Sequence, residues 1–242
     1  MKNWESERPR EPSSNFEFSA LSEARNYRAA LIKEFAPVLT GNVLEVGAGI
    51  GQITEVVRRQ PGVKKVMGVE PDGAFLDSFR QRLPDVALIQ GIADAVRPES
   101  QWHAIICVNV LEHIDADERE LNTYRTLLAQ AQGHLCLFVP ARPEIYAPID
   151  KDFGHYRRYT RPELRHKLLA AGFQIVRLNY FNLVGYFAWW LNFCVLKKRT
   201  FEVPAVRLFD RVIFPIVFAW ESRVLRPPFG QSLVAIAQAA ST

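Results

Sequence analysis

The residues best suited to chemistry follow the apolar segment 43–46, where Glu45 precedes three glycines at alternate positions, Gly47, Gly49 and Gly51. Glycines after a buried strand permit a tight turn and a close approach of the backbone to a ligand. A dinucleotide fingerprint, G-x-G-x-x-G, would need a glycine where this chain has glutamine or threonine. A carboxylate at such a turn suits a positively charged ligand better than a pyrophosphate. The pattern therefore indicates a nucleoside cofactor other than a dinucleotide.

A second carboxylate, Glu70, ends the apolar segment 66–69, nineteen residues beyond Gly51. In an open parallel sheet the ligand lies over the carboxyl ends of the strands, and an acid about twenty residues after the glycines can accept hydrogen bonds from both ribose hydroxyls. A solvated acid before a proline is the alternative. Beside the acid and glycines of the first turn, we expect Glu70 to bind ribose.

The pattern Glu-x-Gly-x-Gly-x-Gly resembles the first motif of the class I S-adenosylmethionine (SAM) dependent methyltransferases, and the resemblance extends over residues 38–180. It implies SAM as cofactor and S-adenosylhomocysteine (SAH) as product. Segment 88–94 is similar to the third strand of this family and the loop after it. This implies that Asp94 accepts a hydrogen bond from the adenine amino group and that Ile92 covers the ring.

Segment 104–114 resembles the fourth strand of the same family and the motif that follows it. The resemblance implies that three of its residues line the cofactor cleft: Asn109, Leu111 and His113. For His113, a histidine bonded to backbone at a helix start is the alternative, because an imidazole serves readily in either way.

The long irregular loop 140–160 occupies the place where most enzymes of this family carry their substrate chemistry. We expect His155 to act as a general base, with Tyr156 beside it in the catalytic group. Arg157, Arg158 and Tyr159 are expected to bind the acceptor, since a guanidinium pairs well with carboxylate or phosphate. The alternative is that the arginines pair with Asp150, Asp152 or the edge of the sheet and only pin the loop. A helix should follow, because residues 160–163 form a capping box.

The alternation of apolar segments predicts a doubly wound α/β fold. The resemblance implies that this fold is a Rossmann-like seven-stranded sheet of the class I methyltransferase type. A leading helix over 20–36 carries Tyr27, which either packs in the core or contacts the cofactor. The predicted helices and strands then follow in order: helix 52–60, strand 64–70, helix 72–83, strand 86–91, strand 104–109, helix 115–131, strand 134–139, strand 174–180 and strand 232–238. Residues 1–18 are expected to form a loose tail before a single domain over 19–242.

An apolar insertion of about fifty residues, 181–230, separates the last two predicted strands. It contains the run 183–196, closed by the basic residues 197–199. The paired tryptophans of this run, Trp189 and Trp190, are expected at the surface. Such a run is too short to span a bilayer comfortably, but it has the composition of an interfacial helix. A lid over an apolar substrate and a homodimer interface are the competing explanations, because both would bury the same surface.

Composition and charge narrow the class of function. The 242 residues carry a net charge of +4, and the basic residues are mostly mixed with acids, so no nucleic-acid partner is expected. Three cysteines, two of them within apolar strands, favour a reduced, cytoplasmic protein, with contact at the membrane surface as an option. The five histidines show no zinc-like pairing, and no metal is expected. A magnesium site built from carboxylates alone is the alternative that this pattern does not test.

The sequence thus predicts a SAM-dependent methyltransferase that transfers a methyl group to a small or lipid-like acceptor, at oxygen. An NAD(P)-dependent oxidoreductase on a Rossmann sheet and a non-catalytic SAM-binding interaction protein are the alternatives.

Overall fold

The computed structural model describes residues 22–97, 101–223 and 227–240, and these residues form one mixed sheet with helices on both faces. The strands are β1 (Gly41–Val46), β2 (Val63–Glu70), β3 (Ala87–Gln90), β4 (Ala104–Val108), β5 (His134–Pro140), β6 (Phe173–Phe181) and β7 (Ser232–Ala239). The helices are α1 (Arg25–Phe35), α2 (Gln52–Val57), α3 (Gly73–Arg82), α4 (Asp117–Ala129), α5 (Pro148–Asp152), α6 (Arg161–Ala170), α7 (Leu183–Trp189), α8 (Val203–Leu208) and α9 (Phe214–Arg223).

The sheet has seven strands in the order β3-β2-β1-β4-β5-β7-β6, with β7 antiparallel to both of its neighbours. Strands β1 to β5 are parallel, so their carboxyl ends meet at one edge. The predicted doubly wound seven-stranded sheet is confirmed. The predicted bounds of β2 to β7 are within one residue of those observed. Apolar runs mark β4, β5 and β7, whereas β2 and β6 also carry polar residues such as Lys65 and Arg177.

The core lies on both faces of this sheet. On one face α4 and α6 pack against the strands through Tyr124 and Leu164, both fully buried. On the other face α1 and α9 pack through Phe35 and Phe214. The helix predicted over 20–36 is observed as Arg25–Phe35, and its first two predicted residues lie outside the described part of the chain. The predicted tail, 1–18, also lies outside it.

The predicted helical insertion is present between β6 and β7. Helix α7 continues as a π-helix over Trp190–Val195, and a second π-helical turn, Phe209–Ile213, joins α8 to α9. Tyr27 of α1 packs against the insertion and the sheet, with its ring centroid 4.9 Å from that of Phe214 and 5.3 Å from that of Phe181. Among the described residues, no helix has both the length and the apolar character that crossing a bilayer requires.

Candidate active site

The turn after β1 is held in place by backbone hydrogen bonds and close packing. The amides of Gly47 and Ala48 donate to the carbonyl of Val69 over 2.9 and 3.1 Å. Gly47 has φ +72°, and a Cβ there would overlap the side chain of Val110. Gly51 has φ +81°, and a Cβ there would lie 2.8 Å from Leu83. Since L side chains rarely adopt positive φ, both positions favour glycine.

Glu45 lies beneath this turn with only 3% of its surface exposed. The hydroxyl of Thr54, in α2, donates to its carboxylate. Burial, helped by the nearby charge of Glu70 and opposed by the Thr54 hydrogen bond, raises the pKa of Glu45 to about 8. The carboxyl is therefore an acidic group that a cationic ligand would stabilise in its charged form.

Glu70, at the end of β2, connects directly to the glycine turn. Its Oε2 accepts a hydrogen bond from the amide of Gly49 over 2.8 Å, and its Oε1 accepts one from the amide of Asp72 over 2.9 Å. Each carboxylate oxygen has two lone pairs, so each can accept more than one hydrogen bond. The structure thus brings together the two acids and the glycines that the sequence singled out.

The residues after β3 lie at the same edge of the sheet. The amide of Gly91 donates to the carbonyl of Glu70 over 3.0 Å, which sets Ile92 and Asp94 beside the end of β2. Asp94 accepts a hydrogen bond from Thr123 of α4 over 2.9 Å and pairs with Arg119 at 3.4 Å. The side chain of Ile92 is half exposed, as a residue that covers a bound ring would be before the ring binds.

The segment after β4 contributes residues of two kinds. Asn109 adopts φ +52° at the strand end, while its amide donates to the carbonyl of Phe138 over 2.8 Å. Leu111 is fully buried in the core, and its carbonyl accepts a hydrogen bond from the hydroxyl of Tyr159. His113 is half-buried and faces loop 140–160. The cofactor contacts expected of these three residues stay a prediction.

His155 has the geometry of an oriented imidazole. It is 8% exposed, and its Nδ1 lies 3.0 Å from Oδ1 of Asp150. Because a carboxylate can only accept, the proton of the neutral ring lies on Nδ1 and Nε2 is left as an acceptor. Nε2 is buried and has no hydrogen-bond partner within the described residues. A carboxylate that orients an imidazole in this way is typical of a general base.

The Asp150 carboxylate also receives Arg158, whose Nε donates over 2.9 Å. Burial alone raises the pKa of Asp150, but the hydrogen bonds and charge supplied by His155 and Arg158 lower it below its ordinary value. The chain reverses after α5 at Gly154, φ +79°, and the amide of His155 donates to the Asp150 carbonyl over 2.9 Å. The role expected of Asp150 was only to pair with the arginines. Its spacing to His155, with Gly154 between them, is the sequence signal for the pair that the structure shows.

The structure also brings His113 and His155 together from separate loops. Their ring centroids are 4.6 Å apart, and one ligand atom from each of Glu112, His113 and His155 lies within 4.8 Å of the others. Sequence spacing indicated no such pairing. One carboxylate and two imidazoles can hold a transition metal, so this cluster offers Nε2 of His155 a second use beside proton transfer.

The remaining residues of the loop differ in accessibility. Tyr156 is 56% exposed, and Arg157 pairs with Asp117 of α4 at 3.0 Å. Arg158 is buried beneath Trp189, with its guanidinium carbon 4.3 Å from the indole centroid. Tyr159 is fully buried, and its hydroxyl donates to Asp117 over 2.9 Å. Arg158 and Tyr159 therefore anchor the loop, and contact of either with an acceptor would require the loop to open.

One expectation for the insertion is corrected. The paired tryptophans were expected to be a surface feature, but only Trp190 is exposed. Trp189 is 7% exposed, and its indole N–H donates to the carbonyl of Ile145 over 3.1 Å. The helical phase of α7 turns the first of the two rings toward loop 140–160. The capping box predicted for the next helix is present, with Thr160 accepting from the amide of Glu163 over 3.2 Å.

The described residues fit a cationic nucleoside cofactor at this edge. Glu70 retains acceptor capacity for hydroxyl groups, Glu45 supplies a carboxyl that positive charge would ionise, and the glycine turn lets backbone approach a ligand closely. A dinucleotide would instead need helix amides directed at a pyrophosphate without an acid at the turn.

Comparison with known proteins gives the family. Residues 19–178 match the model of a methyltransferase domain family, and no curated protein matches the chain. Three solved structures have a similar fold. A SAM-dependent methyltransferase from Archaeoglobus fulgidus is 15% identical, with 88% of this chain and 94% of that chain covered and a TM-score of 0.58. One from Mesorhizobium loti is 15% identical, with 84% and 93% covered and a TM-score of 0.55. The complex of DhpI with SAH is 18% identical, with 86% and 81% covered and a TM-score of 0.54.

The family match covers more than half of the chain and includes the glycine turn, both acids and the segments after β3 and β4. It does not favour the NAD(P)-dependent alternative. The chain belongs to the methyltransferase domain family, and its seven-stranded sheet has the fold of the class I SAM-dependent methyltransferases.

Proposed function

We propose that this enzyme methylates an oxygen atom of a small or lipid-like acceptor and that His155 removes the proton of the acceptor hydroxyl. One observation carries the proposal: the buried imidazole of His155 has its Nδ1 held by Asp150, its buried Nε2 has no hydrogen-bond partner among the described residues, and its ring lies next to that of His113. The carboxyl ends of the central strands are where this fold class binds its ligands, so Nε2 is at the correct edge of the sheet.

SAM, when bound, supplies the methyl group, and the sulfur keeps the electron pair of the broken bond as SAH forms. The protein positions the acceptor and accepts its proton. Glu70 and Glu45 are the residues proposed to hold the ribose and the cationic portion of the cofactor. Asp94 and Ile92 are proposed to hold the adenine, on the resemblance stated above.

Charge balance supports a base in this position. Transfer of a methyl cation equivalent to a neutral hydroxyl leaves a proton that must go to an acceptor, and Nε2 of His155 can take it. The Asp150 carboxylate then stabilises the imidazolium through Nδ1–H. Arg158 keeps Asp150 ionised, as the lowered pKa of that carboxyl indicates.

The acceptor is proposed to bind beside Tyr156 and Arg157. Tyr156 is half exposed, and the guanidinium of Arg157 lies 5.9 Å from its ring centroid. The Arg157 side chain is 23% exposed, so its guanidinium can contact an anionic group on an acceptor without unfolding of the loop. Arg158 and Tyr159 are proposed to act through the loop that they hold.

The test compares His155→Gln with His166→Gln. The second variant is the matched control, because His166 is an exposed histidine on α6. Transfer of labelled methyl from SAM is measured with phenols, fatty alcohols and hydroxylated lipids, and SAH binding is measured by calorimetry. We expect His155→Gln to keep its SAH affinity and to lose turnover by about 10²- to 10⁴-fold. Normal turnover by this variant across the pH range would rule out the general base.

The same assay separates proton transfer from metal use. Wild-type turnover is measured after treatment with EDTA and after addition of zinc, iron or magnesium. Turnover that survives EDTA supports the proton-transfer role of His155. Turnover that EDTA abolishes and a divalent cation restores would assign Nε2 of His155 to a metal, together with Glu112 and His113.

A further inference from the structure

The helix that runs through α8 and α9 is apolar on two opposite faces. Its inner face carries Phe214, 1% exposed, and Asp210, which accepts hydrogen bonds from the amides of Asn26 and Tyr27 over 3.0 and 2.8 Å. Its outer face carries four apolar residues spaced by four, all of them between 48% and 70% exposed: Leu208, Val212, Ile216 and Trp220. A helix on the surface of a globular protein normally has a polar outer face.

Helix α7 and its π-helical extension repeat this arrangement. Trp189 and Phe193 face inward and are 7% and 6% exposed. Phe187, Leu191 and Val195 form an outer row with the same spacing of four, each about half exposed. The two outer rows meet, because Leu183, one step before Phe187 in its row, lines a groove of about 240 Å³ with Ile216 and Trp220. The rows therefore form one surface, which we name the outer apolar surface.

A continuous apolar surface of this kind indicates a binding partner, and the charges around it identify the class of partner. The insertion 181–230 contains seven lysines and arginines and three acids, a net charge of +4 that equals that of the whole chain. Two of the acids, Asp210 and Glu221, are buried, and Glu221 accepts the amides of Asn182 and Leu183. Glu202 is the exposed acid of the insertion.

The basic side chains lie along and at the end of the outer rows. Lys197 and Arg199 are exposed at the end of the α7 row, where Arg199 pairs with Asp152. Arg207 and Arg211 lie next to the α8–α9 row, with side chains 48% and 63% exposed and Glu23 as their shared partner. Two copies of this surface would bring like charges together, which is unfavourable, whereas anionic phospholipid would not.

We propose that the outer apolar surface docks on an anionic lipid bilayer, with α7 and α9 lying in the plane of the interface. Leucine, isoleucine and valine side chains enter the boundary between headgroups and acyl chains, and the basic residues contact lipid phosphates. The exposed rings of Trp190 and Trp220 suit this depth, because tryptophan is enriched at membrane–water interfaces. Docking of this kind does not depend on the reaction that the enzyme performs.

The test is sedimentation of the full chain with vesicles of phosphatidylcholine alone or mixed with phosphatidylglycerol. We expect binding to the anionic vesicles, weakened by added salt. Ile216→Ser/Trp220→Ser should weaken that binding by at least about tenfold, because two apolar side chains no longer leave water. The matched control is Leu169→Ser, a 43% exposed leucine on α6 outside the insertion, which should bind as the wild type does.

A charge variant tests the electrostatic part independently. Arg211→Gln should weaken binding by about fivefold, the effect of one basic residue near an anionic surface. Arg80→Gln, a similarly exposed arginine on α3, should leave it unchanged. SAH affinity measured on every variant shows that the cofactor site is intact, so loss of vesicle binding with normal SAH affinity concerns docking alone.

Three results would overturn the proposal. The first is the absence of sedimentation with anionic vesicles, and the second is equal sedimentation of wild type and the serine double variant. The third is a dimer, detected by light scattering without vesicles, that Ile216→Ser/Trp220→Ser dissociates; this would assign the surface to a second copy of the chain. None of these results bears on His155 or on methyl transfer.

Discussion

Replacement of Glu45 by glutamine removes a buried titrating group while keeping its size and its capacity to accept the Thr54 hydroxyl. Burial raises the pKa of Glu45 from 4.5 to about 8 in the folded protein. Between these values the folded chain holds a proton that the unfolded chain has released, so the free energy of unfolding falls as pH rises. The slope is about 1.4 kcal/mol per pH unit, which amounts to about 2.7 kcal/mol between pH 5 and pH 7.

Urea unfolding of the cofactor-free protein at several pH values measures this effect. The stability of Glu45→Gln relative to wild type should increase by about 2.7 kcal/mol from pH 5 to pH 7, because the variant does not titrate at that position. Asp77→Asn is the control, since the Asp77 side chain is 88% exposed. A difference between wild type and Glu45→Gln that is constant with pH would refute the reasoning.

Binding of SAH provides a second readout of the same group. Its ammonium favours the carboxylate form of a neighbouring acid, so binding at neutral pH should release a proton from Glu45. Calorimetry in buffers of different ionisation enthalpy detects this release, and Glu45→Gln should abolish it. Identical proton release in both proteins would place the cation away from Glu45.

Three further substitutions have definite expectations. Glu70→Ala should weaken SAH binding by about 1 to 3 kcal/mol; unchanged affinity in calorimetry would remove Glu70 from the site. Arg158→Met should lower the free energy of unfolding by about 3 to 5 kcal/mol, because it leaves the buried Asp150 carboxylate without its cation; a loss below about 1 kcal/mol in urea unfolding would contradict this. Gly47→Ala should cost at least about 2 kcal/mol through its positive φ and its overlap with Val110. Adding Val110→Ala should recover the part of this loss that comes from the overlap with Val110. A Gly47→Ala variant with the stability of the wild type would show that the turn is not constrained.

The sheet could be predicted because most of its strands contain a short apolar run that ends at a polar or glycine residue. The acids Glu45 and Glu70 could be predicted because Glu45 is next to last in β1, Glu70 ends β2, and parallel strands bring their carboxyl ends to one edge. The same logic does not apply within loops. The meeting of His113 with His155 depends on how loop 140–160 folds back on the segment after β4, which no local spacing encodes.

The orientation of the insertion helices was also beyond the sequence, for a different physical reason. The run 183–196 is apolar almost all round, so its hydrophobic periodicity does not show which residues face the core. Adjacent tryptophans consequently have opposite environments, with Trp189 buried and Trp190 exposed. The hydrogen bond from Trp189 to Ile145 and the contact of its ring with Arg158 show which side of the helix faces the core.

The orientation of helix α7 links the proposed general base to the proposed membrane-binding surface. Helix α7 directs Trp189 inward, onto the guanidinium of Arg158, and directs Phe187 outward, into the outer apolar surface. Arg158 in turn holds Asp150, which orients His155. A lipid bilayer that binds the outer row of α7 therefore lies one helix diameter, about 10 Å, from residues that position the base. Trp189→Ala should therefore reduce turnover on a membrane-borne acceptor, because Arg158 loses the ring that packs on its guanidinium. The same substitution should leave vesicle binding unchanged, because the Trp189 ring faces the loop and not the lipid.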